Sequence, residues 1–190
     1  SDLTGSISLL RGNQSEVKAV YDALSSDNKD ENSPLGKGVD GAQVADSAVI
    51  AYRLSRLINC PVVATGEEDY VSDGTRVFAV PHGHPIMTAV TGTGCLLGAV
   101  LAAFFSAYYP FKNQMPMAEF IAYALAYYGL AGERAVKECG VKPGSFSVAF
   151  MNALYILDDA VLLSKQHIRP IVVPDQDRKS TRLNSSHIQK

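Results

Sequence analysis

The alternation of apolar and polar positions along this 190-residue chain predicts a mixed α/β architecture. Long segments carry apolar residues at helical spacing, and short apolar runs between them are typical of buried strands. Because the strands and helices alternate, the pattern favours a sheet covered by helices. The predicted helices span 15–25, 41–58, 95–108, 116–138 and 145–163, and the predicted strands span 6–10, 61–64, 71–73 and 77–81.

Two connections are also predicted from local residue types. The polar stretch 25–38 has the composition of a surface loop. The segment 70–80 has the pattern of a hairpin that turns at Ser72-Asp73-Gly74. Asp73 is therefore interpreted as a turn residue and not as a catalytic carboxylate.

Composition narrows the functional classes. The chain is 47% hydrophobic, enough for one ordinary core, and nothing indicates a second domain. A formal net charge of −2 provides no basic field for a nucleic acid partner. The longest apolar run, 96–109, is too short to cross a bilayer, so no membrane partner is expected. Three cysteines without metal-site spacing fit a reducing, cytoplasmic compartment.

The strongest chemical signal is a glycine-rich turn, Val90-Thr91-Gly92-Thr93-Gly94-Cys95, that leads directly into an apolar helix. Glycine lets the backbone approach a phosphate, and the first amides of a helix have no partners within it. Cys95 would lie at the positive end of that helix, where a thiolate is stabilised. Such turns also serve plain helix packing, and that alternative stays open here.

A second signal lies at the junction of the first predicted strand and helix. Arg11-Gly12-Asn13 and Glu16 place a cation, an amide and a carboxylate within six positions. Arginine binds phosphate oxygens with two N–H groups, and a carboxylate can hold hydrated Mg²⁺. The alternative is a capping box, with Asn13 as the N-cap and Glu16 as its partner, and the two interpretations are compatible.

A third signal follows the predicted strand 61–64. Thr65 and Gly66 stand at its carboxyl end, where open α/β sheets bind their ligands. The Thr65 hydroxyl and a free Gly66 amide could both reach a phosphate.

Other conspicuous side chains receive structural interpretations. His82 and His84 flank Gly83 in a turn, and no third metal ligand lies nearby in the sequence. Tyr123, Tyr127 and Tyr128 recur at helical spacing and are expected in the core or in a subunit interface.

Together these segments resemble the hydroxyethylthiazole kinases of the ribokinase-like superfamily. The resemblance covers about residues 6–159, and in particular Cys95 occupies the position at which most of that superfamily has aspartate. The residues that carry it are Arg11-Gly12-Asn13 with Glu16, Ala64-Thr65-Gly66-Glu67 with Asp69, Val71 and Asp73-Gly74, and Gly83-His84-Pro85 with Met87-Thr88 and the segment from Val90 to Cys95.

The resemblance implies a layered α/β/α domain and transfer of the γ-phosphate of ATP, with Mg²⁺, to the hydroxyl of 4-methyl-5-(2-hydroxyethyl)thiazole. It also implies the roles of individual residues. The implied catalytic residues are Gly92, Thr93, Gly94 and Cys95, with Gly94 also against the substrate hydroxyl; the implied ATP-binding residues are Arg11, Asn13, Thr65 and Gly66; and the implied metal-binding residue is Glu16.

The resemblance further implies a homotrimer and an N-terminal segment that this chain lacks, so that 1–175 would be the C-terminal part of the kinase domain. The loop at 25–38 is similar in length to that of eukaryotic kinases in which a thiamine-phosphate synthase domain precedes this one. The polar end, 176–190, resembles translated vector sequence or a disordered tail.

Three hypotheses therefore remain at this point. The first is the thiazole kinase. The second is another ribokinase-like kinase or ATP-dependent enzyme. The third is a non-catalytic fragment that retains the phosphate-binding loops.

Overall fold

A computed structural model of the chain describes residues 7–26, 46–158 and 167–173. Its centre is a five-stranded mixed sheet in which the strands lie in sequence order. The first two strands are parallel, in register from Leu10 opposite Val62 to Asn13 opposite Thr65, and every later pair is antiparallel. The strands are β1 (Leu10–Asn13), β2 (Val62–Thr65), β3 (Asp69–Ser72), β4 (Val77–Val80) and β5 (Arg169–Ile171).

Helices cover both faces of this sheet. Two helices, α1 and α2, pack on one face, and the other face is covered mainly by α5, against which α4 and α6 pack. The helices are α1 (Gln14–Ser26), α2 (Asp46–Ile58), α3 (Ile86–Ala89), α4 (Thr93–Ala107), α5 (Met117–Cys139) and α6 (Pro143–Ile156), with a 3₁₀ turn at Tyr109–Phe111.

The alternation of side chains along the strands accounts for the two faces. In β2, Val62 and Ala64 pack in the cluster that contains α1 and α2, whereas Val63 packs in the cluster that contains α5. Successive strand residues point to opposite faces, so strands buried on both sides are apolar throughout. The predicted layered α/β/α architecture is confirmed.

Most predicted elements are present. The helices predicted at 15–25, 95–108 and 116–138 agree with the structure to within two residues at each end. The hairpin is confirmed as β3 and β4, and the helix predicted at 41–58 ends at Ile58 as expected. Three predicted segments lie wholly or partly outside the described residues. They are the first residues of the helix predicted at 41–58, most of the loop predicted at 25–38, and the tail at 176–190.

The first strand was predicted wrongly. It runs over Leu10–Asn13 and shares only Leu10 with the predicted strand at 6–10. The polar residues Arg11 and Asn13 are recruited into the sheet because β2 provides a full set of backbone partners beside them. Tertiary pairing overrides local polarity in strands.

The last helix was also predicted wrongly at its end. α6 stops at Ile156, and Leu157 is already extended, whereas the prediction continued to 163. Asp158 follows directly, and a carboxylate is unfavourable at the negative end of a helix. The short elements α3 and β5 and the 3₁₀ turn were not predicted.

The unpredicted strand β5 is held by contacts from distant parts of the chain. The backbone amide of His167 donates to His82 Nε2 at 3.1 Å, and Arg169 forms an ion pair with Glu68. Strand β5 is only three residues long and contains Pro170, so the sequence of this segment has no pattern from which a strand could be predicted.

Asp73 acts as a structural residue in the turn between β3 and β4, as predicted. Its Oδ1 accepts hydrogen bonds from the Thr75 amide at 3.0 Å and the Arg76 amide at 2.9 Å. Its Oδ2 accepts from the Ala118 amide at 3.2 Å, in the first turn of α5. Burial acts to raise the pKa of Asp73, but a hydrogen bond from the Thr75 hydroxyl at 2.7 Å and those from the three amides outweigh it and hold the pKa below its usual value. One carboxylate therefore stabilises a turn and a helix N-terminus together.

A close backbone contact joins α5 to the end of β4. A Cβ atom at Gly129 would lie 2.5 Å from His82 Cβ and 2.6 Å from its carbonyl carbon. Glu133, one turn further along α5, accepts from the Gly83 amide at 3.3 Å and pairs with His82 Nδ1 at 2.9 Å. Only glycine at position 129 permits this approach.

All three cysteines, Cys60, Cys95 and Cys139, are free thiols. Among the helices of the described ranges, none combines the length and the apolar character that crossing a membrane requires.

We expect Asp73→Ala to lower the free energy of unfolding by about 1–2 kcal/mol, because it removes the acceptor for the turn and for the start of α5. Urea denaturation at pH 7 followed by circular dichroism measures this change. Asp73→Asn is the matched variant, and it should lose less because its amide oxygen still accepts from the turn. Equal stability of Asp73→Ala and the unchanged chain would contradict the assignment.

Candidate phosphate-binding site

The N-terminus of α4 presents backbone amides that have no helical partners. Gly92 precedes the helix with φ of 96°, a left-handed conformation that favours glycine, and provides no side-chain cap. The Leu96 amide donates to the Gly92 carbonyl at 2.8 Å. Among the described residues, no acceptor is found for the amides of Gly94 and Cys95. These two N–H groups, at the positive end of the helix dipole, are suited to bind an anion.

The Thr93 side chain fixes this turn to the preceding segment. Its hydroxyl lies 2.6 Å from the Met87 carbonyl oxygen and 3.0 Å from the Val90 carbonyl oxygen. Both acceptors belong to α3 or its end, so the side chain is a structural anchor. The resemblance implied a catalytic role for Thr93. The contacts of its hydroxyl favour a positioning role for the Thr93 side chain.

Arg11 brings the first strand to the same place. Its side chain rises from β1, and a Cβ atom at Gly94 would lie 3.7 Å from Nη1 and 3.8 Å from Nη2 of the guanidinium. About eighty residues separate the two segments in sequence. The fold therefore places a permanent positive charge beside the open amides of α4, and the two sequence signals form one site.

Asp69 partly balances this positive charge. Burial raises the pKa of Asp69 to about 6, against the opposing effects of the Gly66 hydrogen bond and of the Arg11 charge. Its Oδ1 accepts from the Gly66 amide at 2.9 Å. The sequence predicted a free amide at Gly66, and this detail is wrong, because the carboxylate three residues later closes a turn on it.

The Thr65 hydroxyl is likewise occupied as a donor. It donates to the Gly12 carbonyl at 3.2 Å, from β2 to β1, and its oxygen keeps the capacity to accept a hydrogen bond. Its position at the end of β2 agrees with the prediction.

Asn13 and Glu16 form the capping box that was one of the two interpretations. The Glu16 amide donates to Asn13 Oδ1 at 2.8 Å, and the Asn13 amide donates to Glu16 Oε2 at 2.7 Å. These reciprocal bonds begin α1. Metal binding by Glu16 stays a prediction. Within the described ranges, no group of three histidine, cysteine or acidic side chains is arranged to hold a metal.

Cys95 is exposed in the first turn of α4, where the glycine-rich turn was predicted to place it. Its side chain therefore stands in the same helical turn as the Gly94 amide. The two histidines near this turn have structural partners, since His84 Nδ1 accepts from the Ile86 amide at 3.2 Å and His82 pairs with Glu133.

Sequence reasoning missed two side chains at the site. Gln14 crosses to the loop after β2, where its Nε2 donates to the Glu68 carbonyl at 3.1 Å. Tyr128, predicted as one of three core or interface tyrosines, is indeed buried, and its hydroxyl also donates to the Thr93 carbonyl. No sequence signal separates Tyr128 from its neighbour Tyr127.

Comparison with known proteins identifies the family and agrees with this fold. A family model described as the hydroxyethylthiazole kinase family matches residues 2–160. A hydroxyethylthiazole kinase of Streptococcus agalactiae serotype Ia is 39% identical over 161 residues, which cover 84% of this chain and 58% of that protein. One from Halalkalibacterium halodurans is 39% identical over 164 residues, which cover 86% of this chain and 57% of that protein.

A solved structure of a protein with that name has a similar fold. The hydroxyethylthiazole kinase of Pyrococcus horikoshii superposes with a TM-score of 0.70 at 29% identity, over 90% of this chain and 57% of that one. The chain thus spans less than two thirds of the length of these relatives.

Fold and site define the chain as an α/β protein with helices on both faces of a mixed sheet and a glycine-rich helix N-terminus beside an arginine. The matching family model and the relatives indicate the same family within that class. The chain belongs to the hydroxyethylthiazole kinase family.

We expect Asp69→Asn to flatten the pH dependence of stability between about pH 4 and 6. In that window the folded chain holds a proton on Asp69 that the unfolded chain releases, so the free energy of unfolding falls as the pH rises. Asparagine does not titrate, yet its oxygen still accepts from Gly66. Denaturant titrations at several pH values measure the slope.

The control for Asp69→Asn is Glu67→Gln, which removes an exposed negative charge from the same loop. If Asp69→Asn kept the slope of the unchanged chain, Asp69 would not be the titrating group.

Proposed function

We propose that this chain phosphorylates the hydroxyl group of 4-methyl-5-(2-hydroxyethyl)thiazole with ATP, a step of thiamine biosynthesis and salvage. The relatives that it matches carry the name hydroxyethylthiazole kinase. The structural observation that carries the proposal is the Arg11 guanidinium beside Gly94 at the open N-terminus of α4. A phosphate group at this position would meet a fixed positive charge and unpaired amides together.

In the proposed reaction the alcohol oxygen attacks the γ-phosphorus of ATP. The bond from that phosphorus to the bridging oxygen breaks, ADP leaves, and the alcohol gives up its proton. The backbone from Gly92 to Cys95 would stabilise negative charge on the transferred group, with Gly94 against the substrate hydroxyl. The exposed Cys95 side chain would lie beside the attacking oxygen and accept the proton on its sulfur, although a loose transition state requires little proton transfer before attack.

ATP would be held by Arg11, Asn13, Thr65 and Gly66, which stand at or near the ends of β1 and β2. The Gly66 amide would exchange the Asp69 carboxylate for a phosphate oxygen. A phosphate oxygen would then provide the negative charge beside Arg11 that the ionised Asp69 carboxylate provides in the free chain.

Glu16 would provide the protein ligand for Mg²⁺, the ion that neutralises phosphate charge in such reactions. Its carboxylate is exposed, and the capping box engages Oε2 only. A single carboxylate fits the preference of Mg²⁺ for few protein ligands, with water and phosphate oxygens completing its shell.

A homotrimeric assembly is part of the proposal. The outer face of α6 exposes large apolar side chains, with Met151 55% and Tyr155 91% accessible. Apolar surface of this kind favours contact with another chain. The free state of all three cysteines supports a reducing, cytoplasmic location.

We expect Arg11→Ala to lower formation of the thiazole phosphate by about 100-fold, because it removes the fixed charge from the phosphate site. Mass spectrometry of the product after incubation with Mg²⁺, ATP and hydroxyethylthiazole measures this effect.

Arg76→Ala is the matched control for Arg11→Ala. Arg76 is an exposed arginine in the β3–β4 turn, which lies at the opposite end of the sheet from Thr65. The Arg76→Ala variant should retain the turnover of the chain without substitutions. Binding of ATP without any product in the unchanged chain would overturn the proposed activity.

We expect Cys95→Ser to slow turnover by about 10- to 100-fold while ATP binding persists. The hydroxyl keeps the size and position of the thiol but is a weaker acid, so only the proton-transfer role is lost. Steady-state kinetics and calorimetric titration with ATP separate the two properties. Cys139→Ser, at the far end of α5, is the control, and loss of nucleotide binding in Cys95→Ser would contradict the assignment.

A further inference from the structure

We propose that Tyr128 is the positioning residue that fixes the phosphate-binding turn of α4, through the hydrogen bond from its hydroxyl to the Thr93 carbonyl oxygen. The oxygen atoms lie 2.5 Å apart. Tyr128 stands on α5 and Thr93 opens α4, so the contact joins two helices at the site. The catalytic part of this role rests on the proposed kinase activity.

The geometry of the peptide bond explains why this contact matters. The carbonyl of Thr93 and the amide of Gly94 belong to one planar, trans peptide unit, so their directions are linked. A donor that holds the carbonyl oxygen therefore also sets the direction of the Gly94 N–H group. That N–H is one of the two amides without an acceptor among the described residues, and it belongs to the glycine whose added Cβ would lie 3.7 Å from the Arg11 guanidinium.

The tyrosine is itself firmly held. Tyr128 is only 4% exposed, and its ring meets Phe150 of α6 edge to face, with centroids 4.9 Å apart. Burial raises the pKa of Tyr128, and the Arg11 charge opposes this only in part, so the hydroxyl stays protonated and donates. A buried ring with a fixed hydroxyl is a rigid anchor.

Thr93 is consequently fixed from two sides. Its hydroxyl is bound to the α3 segment through the carbonyl oxygens of Met87 and Val90, and its own carbonyl is bound to α5 through Tyr128. The first turn of α4 would otherwise be free to fray, as helix ends do. The Tyr128 bond is a direct hydrogen-bonded link between this turn and α5, the helix that contacts the sheet.

The adjacent residue provides a matched comparison. Tyr127 also donates its hydroxyl to a backbone carbonyl, that of Leu154 in α6. Tyr127→Phe and Tyr128→Phe each remove one hydroxyl from α5 and retain the ring. The two variants release different carbonyls, that of Leu154 in α6 and that of Thr93 at the start of α4.

Hydrogen exchange followed by mass spectrometry tests the positioning role without any need for turnover. Tyr128→Phe should make amide exchange in the peptide containing 93–98 about fivefold faster, the equivalent of one hydrogen bond. Tyr127→Phe should leave that peptide unchanged and increase exchange near the end of α6. Unchanged exchange at 93–98 in Tyr128→Phe would overturn the proposal, and so would an equal increase there in both variants.

Steady-state kinetics test the catalytic consequence. Tyr128→Phe should lower kcat about tenfold and leave KM for hydroxyethylthiazole within about twofold, because misplaced amides impair the transition state more than binding. Tyr127→Phe should retain kcat. Normal kcat in Tyr128→Phe despite faster exchange would overturn the role. If the chain without any substitution showed no turnover, the proposed kinase function would be contradicted but the positioning role of Tyr128 would not. The hydrogen-exchange comparison would still decide whether Tyr128 fixes the turn.

Discussion

The contact between the backbone of His82 and Gly129 on α5 is the constraint on which the candidate site depends. It holds the segment that leaves β4 directly on the helix, with no side chain between them. One turn further, Glu133 accepts hydrogen bonds from the same segment, and Gly132 leaves room for the Met87 sulfur. Helix α5 therefore guides the chain from the sheet to α3, and α4 begins where that path ends.

The same helix determines the electrostatics of the site. Because α4 begins beside β1, its positive N-terminus and the Arg11 guanidinium lie together. Two positive groups at one place repel each other unless negative charge is near, and the Asp69 carboxyl lies close enough for the Arg11 charge to lower its pKa against the effect of burial. A phosphate would take over that compensation, so the arrangement favours an anionic ligand over an empty site.

How much could be predicted from the sequence depends on how local each signal is. The hairpin at Asp73, the capping box of Asn13 and Glu16 and the start of α4 near Gly92 were predictable, because neighbouring residues determine each of them. The position of Arg11 in a strand was not, since β2 supplies its pairing from some fifty residues away. The roles of Tyr127 and Tyr128 differ only through the rotation of α5 about its axis, which a regular apolar pattern does not specify to one residue.

The capping box shows how a structural and a chemical role can share one side chain. The Asn13 amide holds Glu16 Oε2 at 2.7 Å, which fixes the direction of the carboxylate at the start of α1. A carboxylate that is already oriented loses less conformational freedom when it binds a cation. The bond that begins the helix would therefore also prepare Glu16 for Mg²⁺, so the capping interpretation and the proposed metal role support each other.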